Sequence, residues 1–249
     1  MEPRIERGAA PDVHRIEDAS VNWYLVEAES GLTIVDAGVP RSWRSLQRVL
    51  AEIGRDASEI RAVVLTHAHF DHVGFAERAR TELGVPVYVH ENDAPLARKP
   101  LQYSHERARS RYLLTKPRGL PHVAKLAAAR AFFPPPITEV RRFTDGELDV
   151  PGSPRVVFTP GHTLGHCALH FPDRDTLISG DALVTLDPYT GVTGPQIVSG
   201  AATADSVEAM RTLDALVATD ASVVLPGHGE PWRGGIEAAV DHARAMGPS

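Results

Sequence analysis

Along this 249-residue chain, strand-like apolar runs alternate with stripes of helical spacing. Val21 to Val26 and Leu32 to Val35 are rich in β-branched and aromatic residues, and Gly31 sits in the turn between them, so two strands are predicted. Trp43, Leu46, Val49 and Leu50 fall on one stripe, which predicts a helix from Arg41 to Ile53 with Gly54 ending it. Ala62-Val63-Val64-Leu65 reads as a strand, His72 to Leu83 as a helix stopped by Gly84, and Val85 to Val89 as another short strand. The alternation then breaks. Asn92 to Phe133 keeps a helical period but is interrupted by Pro100, Pro117 and Pro121 and closed by Pro134-Pro135-Pro136, which predicts a helical insertion. Beyond it, Arg155 to Phe158, Cys167 to Phe171 and Thr176 to Ser179 read as strands. Ala204 to Val217 reads as a helix, Ser222 to Leu225 as a strand and Gly235 to Met246 as the last helix. Strands alternating with helices, together with runs of strands alone, predict an α/β protein with packed sheets under outer helices.

Composition narrows the class. The apolar share of 43% and charged share of 23% are those of an ordinary globular protein, and the length suits one large domain. A formal charge of −6 argues against a general affinity for nucleic acid. The single cysteine, Cys167, excludes an internal disulfide framework and fits a reducing compartment. The stretch Met1-Glu2-Pro3-Arg4-Ile5-Glu6-Arg7 has no apolar core of a signal peptide, and no apolar run approaches the roughly 20 residues that span a bilayer. A cytoplasmic location without membrane attachment is therefore expected.

The chemistry concentrates in Thr66-His67-Ala68-His69-Phe70-Asp71-His72, where three imidazoles and a carboxylate follow directly on a predicted strand. Neutral imidazole and carboxylate form a ligand set suited to zinc and to iron. Three more candidates stand just beyond predicted strands, each preceded by a glycine: His162 after Gly161, Asp181 after Gly180 and His228 after Gly227. Glycine permits the unusual backbone that turns a side chain back over a strand end. Rigid scaffolds present chemistry from such loops.

These motifs resemble those of the metallo-β-lactamase superfamily. His67-Ala68-His69-Phe70-Asp71-His72 is similar to its HxHxDH signature, and Val35-Asp36-Ala37-Gly38 to its early turn. Gly161-His162-Thr163, Gly180-Asp181 and Gly227-His228-Gly229 resemble its later ligand motifs, in the family's order. The resemblance implies a single αββα sandwich over residues 1–249, with the insertion at about 92–136 as a helical cap. It implies two divalent metal ions, zinc foremost, with iron or manganese as alternatives. His67, His69 and His162 would hold one, Asp71, His72 and His228 the other, and Asp181 would bridge them, with Asp71 and Asp181 the residues closest to catalysis. Such a pair of cations shares a metal-bound hydroxide and clamps attacking and leaving oxygens.

What the resemblance implies, then, is a hydrolase of the glyoxalase II or lactonase-like branch acting on a small ester, thioester or lactone. The alternatives are an iron-dependent oxidoreductase of the same fold, similar to persulfide dioxygenases, and a phosphodiesterase or nuclease. The related lactonases often carry a tyrosine three residues after the bridging aspartate; here that position is Val184, and Tyr189 lies nearby in Leu186-Asp187-Pro188-Tyr189-Thr190-Gly191, a loop placed to touch substrate. Homodimers are common in the family.

Other residues stay open. Asp36 either holds a ligating imidazole by its other nitrogen or forms the turn before Gly38. His166 is expected to support the site rather than bind metal, and Cys167 to be a buried strand residue. His90, His105, His122, His170 and His242 have no motif context. Between Arg98 and Arg130 stand nine basic residues and one acidic one, Glu106, a net +8 that leaves −14 on the rest of the chain. That stretch is a basic cap attracting an anionic substrate, with Arg107 and Arg111 as its test pair, a contact to an acidic partner, or a solvated face packed on an acidic body. Tyr112, Leu113, Leu114, Phe132 and Phe133 would pack on the body or line the pocket.

Overall fold

The computed structural model describes residues 2–249. Its first sheet runs in chain order: β1 (Arg4–Ala10), β2 (Val13–Asp18), β3 (Val21–Ala28), β4 (Gly31–Val35), β5 (Ile60–Val64), β6 (Val87–His90) and β7 (Arg141–Phe143). The strands from β1 to β4 pair antiparallel, whereas β4 to β7 are parallel neighbours. Parallel neighbours need crossovers. Helix α1 (Trp43–Ile53) joins β4 to β5, and α2 (Ala76–Glu82) joins β5 to β6. The third crossover holds the short helices α3 (Ala94–Ala97), α4 (Arg109–Thr115) and α5 (Leu120–Ala128).

The second sheet has the order β14 (Val223–Pro226), β11 (Thr176–Gly180), β10 (Cys167–Phe171), β9 (Arg155–Phe158), β8 (Gly146–Glu147). Its one parallel pair, β11 with β14, is bridged by the hairpin β12 (Val184–Leu186) and β13 (Thr193–Gln196) and by α6 (Ser206–Val217). Helix α7 (Ile236–Met246) follows β14.

Side chains alternate across a pleated strand, and both sheets use both faces. Trp23 and Leu25 meet Leu46, Val49 and Ala79 of α1 and α2, while their neighbours Tyr24 and Val26 meet Leu169, Phe171 and Ile178 of the other sheet. Ala168, Leu177 and Val224 face outward onto Leu213 and Leu216 of α6 and Ala239 and Val240 of α7. The result is helices, sheet, sheet, helices: the expected αββα sandwich. Fully burying each Leu or Ile in these layers is worth roughly 1.5–3 kcal/mol. Among the described residues no helix is long and apolar enough to cross a membrane.

Four sequence expectations need correction. The helix expected from His72 begins only at Ala76. Gly74 and Phe75 donate their N–H groups to Gly38 and Ala37 carbonyls, so residues 72–75 are stapled to the loop after β4 instead. Strands β1 and β2 were not anticipated, because β2 buries Arg15 at 1% exposure among Glu6, Glu17, Glu230 and Asn22 and so breaks the apolar pattern. Strand β12 and its partner β13 also escape the pattern, β13 carrying a glycine and a proline in four residues. In the third crossover Tyr112 is buried, but Leu114 and Phe133 are 85% and 74% exposed and Leu113 is also exposed, and none of these three lines a cavity beside the candidate ligands.

Candidate metal centre

Five loops converge at the C-terminal ends of strands. β4 leads into Asp36, β5 into Thr66 to His72, β9 into His162, β11 into Asp181 and β14 into His228. Gly161 (φ 130°) and Gly180 (φ 52°) adopt the left-handed backbone that turns the next side chain inward. Gly227 serves a different need: a Cβ there would lie 2.0 Å from Asp181 Oδ1, so it provides space rather than conformation.

All seven expected side chains come together, and all are buried. His67, His69 and His162 offer donor atoms within 4.8 Å of one another, and so do Asp71, His72 and His228. Asp181 lies between the two groups. Its Oδ2 is 3.4 Å from His162 Nε2, 3.9 Å from His67 Nε2 and 3.3 Å from His228 Nε2, and its Oδ1 is 3.6 Å from His72 Nε2. Asp71 Oδ2 approaches His228 Nε2 to 3.6 Å.

The outer nitrogens decide what the inner ones are. The single proton of the Thr66 hydroxyl goes to Asp36, so His67 Nδ1–H donates to Thr66 Oγ1 at 3.0 Å. His72 Nδ1–H donates to Asp36 Oδ2 at 3.1 Å. Thr203 gives its proton to the Val198 carbonyl, so His162 Nδ1–H donates to Thr203 Oγ1 at 3.3 Å. His228 Nδ1–H donates to the Ser20 carbonyl at 2.7 Å. A neutral imidazole protonated at Nδ1 presents a bare lone pair at Nε2. The Nε2 atoms of His67, His72 and His162 are accordingly buried without any hydrogen-bond partner, and so are His69 Nε2 and Asp181 Oδ1. Asp36 resolves into both of its readings: it forms the turn at φ 58°, and its carboxylate steadies one imidazole of each group, His72 directly and His67 through Thr66.

Electrostatics divides the rings. Burial and the neighbouring imidazoles push His67 well below the ordinary histidine value; burial does the same to His69, with His162 adding to it. Burial brings His162 down to about 4. Burial also opposes charge on His72, but Asp181, Asp36 and Asp71 outweigh it and push His72 up to about 10. Asp181 and Asp71 raise His228 likewise against burial. Burial would raise Asp181 too, yet His228, His72 and His162 hold it well below the carboxylate range. The carboxylates thus create a buried negative potential that favours positive charge among the Nε2 atoms.

Supporting residues lie around this core. His166 accepts the Asp181 N–H at Nε2 (2.9 Å) and holds Thr159 through Nδ1 (2.8 Å), so it positions the backbone of Asp181 and does not face the other rings' donors. Cys167 is buried in β10, and burial raises its thiol far above the ordinary range. Asp93 was not anticipated. Its carboxylate accepts from Ala68 N–H (2.9 Å), Thr163 Oγ1–H (2.8 Å) and Gly165 N–H (2.8 Å), tying the His67–His72 loop to the His162 loop. An aspartate three residues past the strand ending at His90 was the only available signal.

Tyr103 was missed as well. Its ring lies 4.0 Å from that of His69, its hydroxyl 3.4 Å from the Tyr189 hydroxyl, and Arg109 covers its other side at 4.5 Å. Tyr189 stands in the wall of a small pocket with His69, Asp71, Asp181 and His228. Gly119 fixes that loop, since a Cβ there would meet the Tyr189 carbonyl at 2.0 Å. Arg107 and Arg111 are exposed and border neither this pocket nor the larger cleft beside it, whereas Lys99 lines that cleft. Of the unassigned histidines, His122 bonds Ser20 Oγ at 2.9 Å, beside the carbonyl that holds His228. His90 stacks on Phe158, His242 bonds the Pro195 carbonyl, His105 contacts the Arg107 carbonyl, and His170 sits half-buried in β10.

Two three-donor groups with a carboxylate between them, at the rim of an αββα sandwich, fit a dinuclear metal site and define a class of metal-binding proteins, most of them hydrolases. The chain belongs to the metallo-beta-lactamase superfamily, whose sequence profile matches residues 16–228. It is 28% identical over 243 residues to the probable metallo-hydrolase YflN of Bacillus subtilis (strain 168), covering 91% of this chain and 87% of that one. It is 33% identical over 227 residues to ML0493 of Mycobacterium leprae (strain TN), covering 87% and 89%. Among solved structures, the metallo-beta-lactamase family protein TTHA1429 from Thermus thermophilus superposes with a TM-score of 0.66 at 25% identity, over 95% of this chain and 79% of that one. TTHA1623, in a di-iron-bound form, superposes with a TM-score of 0.63 at 27% identity, over 96% and 97%.

Proposed function

We propose that this protein is a dinuclear metal-dependent hydrolase of a small ester, thioester or lactone, of the glyoxalase II or lactonase-like branch of its superfamily. The observation that carries the reading is the convergence of four bare imidazole Nε2 atoms and one bare carboxylate oxygen on a single buried spot. An uncompensated buried polar group costs about 1–3 kcal/mol, and divalent cations are the partners that imidazole and carboxylate share. His67, His69 and His162 would hold one cation, and Asp71, His72 and His228 the other. Asp181 reaches both groups with its two oxygens. Zinc is the cation this reading favours.

When bound, such a pair supplies a water that ionises near neutral pH and a Lewis acid for a carbonyl. The chain's own residues do the rest. Asp36 and Thr66 keep the Nδ1 protons of His72 and His67 outward and so keep their lone pairs inward. His166 fixes Asp181 from behind. Tyr103, Tyr189, Phe70, Val198 and Ala202 wall the pocket and exclude bulk water. The Tyr189 hydroxyl is the wall group placed to donate to a substrate carbonyl.

The di-iron form of TTHA1623 favours a second reading, with iron at the same donors and oxidoreductase chemistry. Metal analysis of the purified protein and a panel of esters, thioesters, lactones and phosphodiesters separate the two. Two zinc ions per chain with ester, thioester or lactone turnover is the expected result; iron with oxygen uptake overturns it. Asp181→Asn should lower kcat/KM by about 100-fold or more and loosen metal binding; normal turnover with full metal occupancy would remove Asp181 from its place between the ions.

A further inference from the structure

Two cavities meet at His69 and Tyr103. The first is the metal-facing pocket, whose free volume of about 10 Å³ holds no more than one water. The second is an outer cleft of about 330 Å³, open to solvent and lined in part by Pro95, Leu96, Leu164, Ala204 and Lys99; it touches the candidate ligands at His69 and His162 and does not touch Asp71, Asp181 or His228. Only His69 and Tyr103 border both. His69 is one of the candidate metal ligands, so Tyr103 is the part of the partition that lies outside the ligand set.

The chain around Tyr103 is built for a local swing. Gln102 N–H bonds the Lys99 carbonyl and Glu106 N–H bonds the Thr203 carbonyl, so both ends of the stretch are anchored. Between them residues 102–105 belong to neither helix nor strand, and Ser104 and His105 are exposed. The ring approaches the Tyr189 hydroxyl at 3.4 Å, the Arg109 guanidinium and His69, and it also packs on Phe70 and on the small apolar clusters around Leu126 and Val198. A contact of each such kind is worth on the order of 1 kcal/mol, small enough to exchange for contacts with a bound molecule.

We propose that Tyr103 is a gate and a specificity-determining residue: substrate reaches the metals from the outer cleft by displacing the Tyr103 ring, while its apolar arm stays against Leu96, Pro95, Leu164 and Ala204. The cleft carries one carboxylate, Asp93, already engaged by three donors, and one cation, Lys99, at its wall. The substrate class that fits is an ester or thioester with an apolar acyl arm, neutral or anionic at its far end. The inference rests on the metal site proposed above.

The test uses zinc-loaded protein and pyridine-2,6-dicarboxylate, a chelator small enough for the cleft, with the second-order rate of zinc release as readout. Tyr103→Ala joins the two cavities and should speed release by about 10-fold or more, whereas Tyr103→Trp enlarges the partition and should slow it. In wild type, KM for p-nitrophenyl esters should fall from acetyl to hexanoyl, and Tyr103→Ala, shown to be folded by a cooperative melting transition, should flatten that dependence. Should Tyr103→Ala fail to fold, the sign of the Tyr103→Trp effect decides. Release rates unmoved in Tyr103→Trp, or equal in all three proteins, overturn the gate. Failure of the wild type to take up zinc removes the metal reading and the gate together; full loading with unmoved rates removes the gate alone.

Discussion

Asp93 touches none of the seven donors, yet it joins the two loops that carry His67, His69 and His162. Burial raises its carboxyl, and the three donors around it work against that rise. Removing the carboxylate leaves Ala68 N–H, Gly165 N–H and the Thr163 hydroxyl buried without an acceptor. Asp93→Ala should therefore cost roughly 2–4 kcal/mol, read as a lower midpoint in urea denaturation, and weaken zinc binding; a variant with wild-type stability and affinity would show that the loops hold themselves. Residues of this kind mark the limit of sequence reading. The run from His67 to His72 was legible because its donors are adjacent in the chain, and Gly-His or Gly-Asp pairs flagged the rest. Asp93, Thr203 and Tyr103 were not, because their partners stand tens of residues away and each is an ordinary loop residue until the fold closes. Sequence set two roles for Asp36 as alternatives, whereas its backbone makes the turn and its two oxygens hold Thr66 and His72 at once.

Elements were legible where one face is uniformly apolar, as in α1, β5 and β10, and obscure where charge is buried, as in β2 with Arg15. Helix α2 was misread because apolar spacing continues through His72 to Phe75 while hydrogen bonds to the β4 loop claim that backbone. The third crossover locks onto the Asp187–Gly191 loop through bare backbone contact at Gly119. Gly119→Ala should push the Tyr189 segment outward, cost about 1–3 kcal/mol and raise KM more than it lowers kcat; steady-state kinetics with a melting curve check this, and unchanged values would show that the contact yields freely. A second junction between elements is His14–Glu27–Arg55, joining β2 and β3 to the chain after α1. Burial alone would raise the Glu27 carboxyl, but its bonds to His14 and Arg55 outweigh this and hold it below its ordinary 4.5. A lowered acid value contributes stability that is complete above the unfolded value and is lost as pH falls through the folded one. Wild type should therefore lose more stability than Glu27→Gln between pH 7 and pH 3. Parallel acid limbs for the two proteins, measured by denaturant unfolding, would contradict it.

At the scale of the molecule the seven donors divide between the sheets: His67, His69, Asp71 and His72 follow β5, and His162, Asp181 and His228 follow strands of the other sheet. Cations bound there tie the sandwich together along one rim, so chelation should destabilise the whole fold. At free metal 1,000-fold above Kd the contribution is about 4 kcal/mol, which corresponds to a fall of roughly 10 °C in Tm for a chain of this size. Calorimetry with and without chelator, followed by zinc addition, checks it; a melting temperature indifferent to metal would count against a site shared by both sheets. The layer order was legible from the motif series, while the position of the basic stretch was not, since charge counts carry no direction. Apart from Phe70, the apolar and aromatic walls of the pocket come from lengths of chain outside those motifs. Donors sit on strand ends buried in both sheets, where almost any exchange is damaging. Tyr103, Lys99 and Leu96 belong to the crossover after β6, and Tyr189 to the loop after β12. Such a division lets descent act on the two parts independently. Divergent copies of this chain can vary the crossover and the Tyr189 loop while inheriting the same rim of candidate ligands.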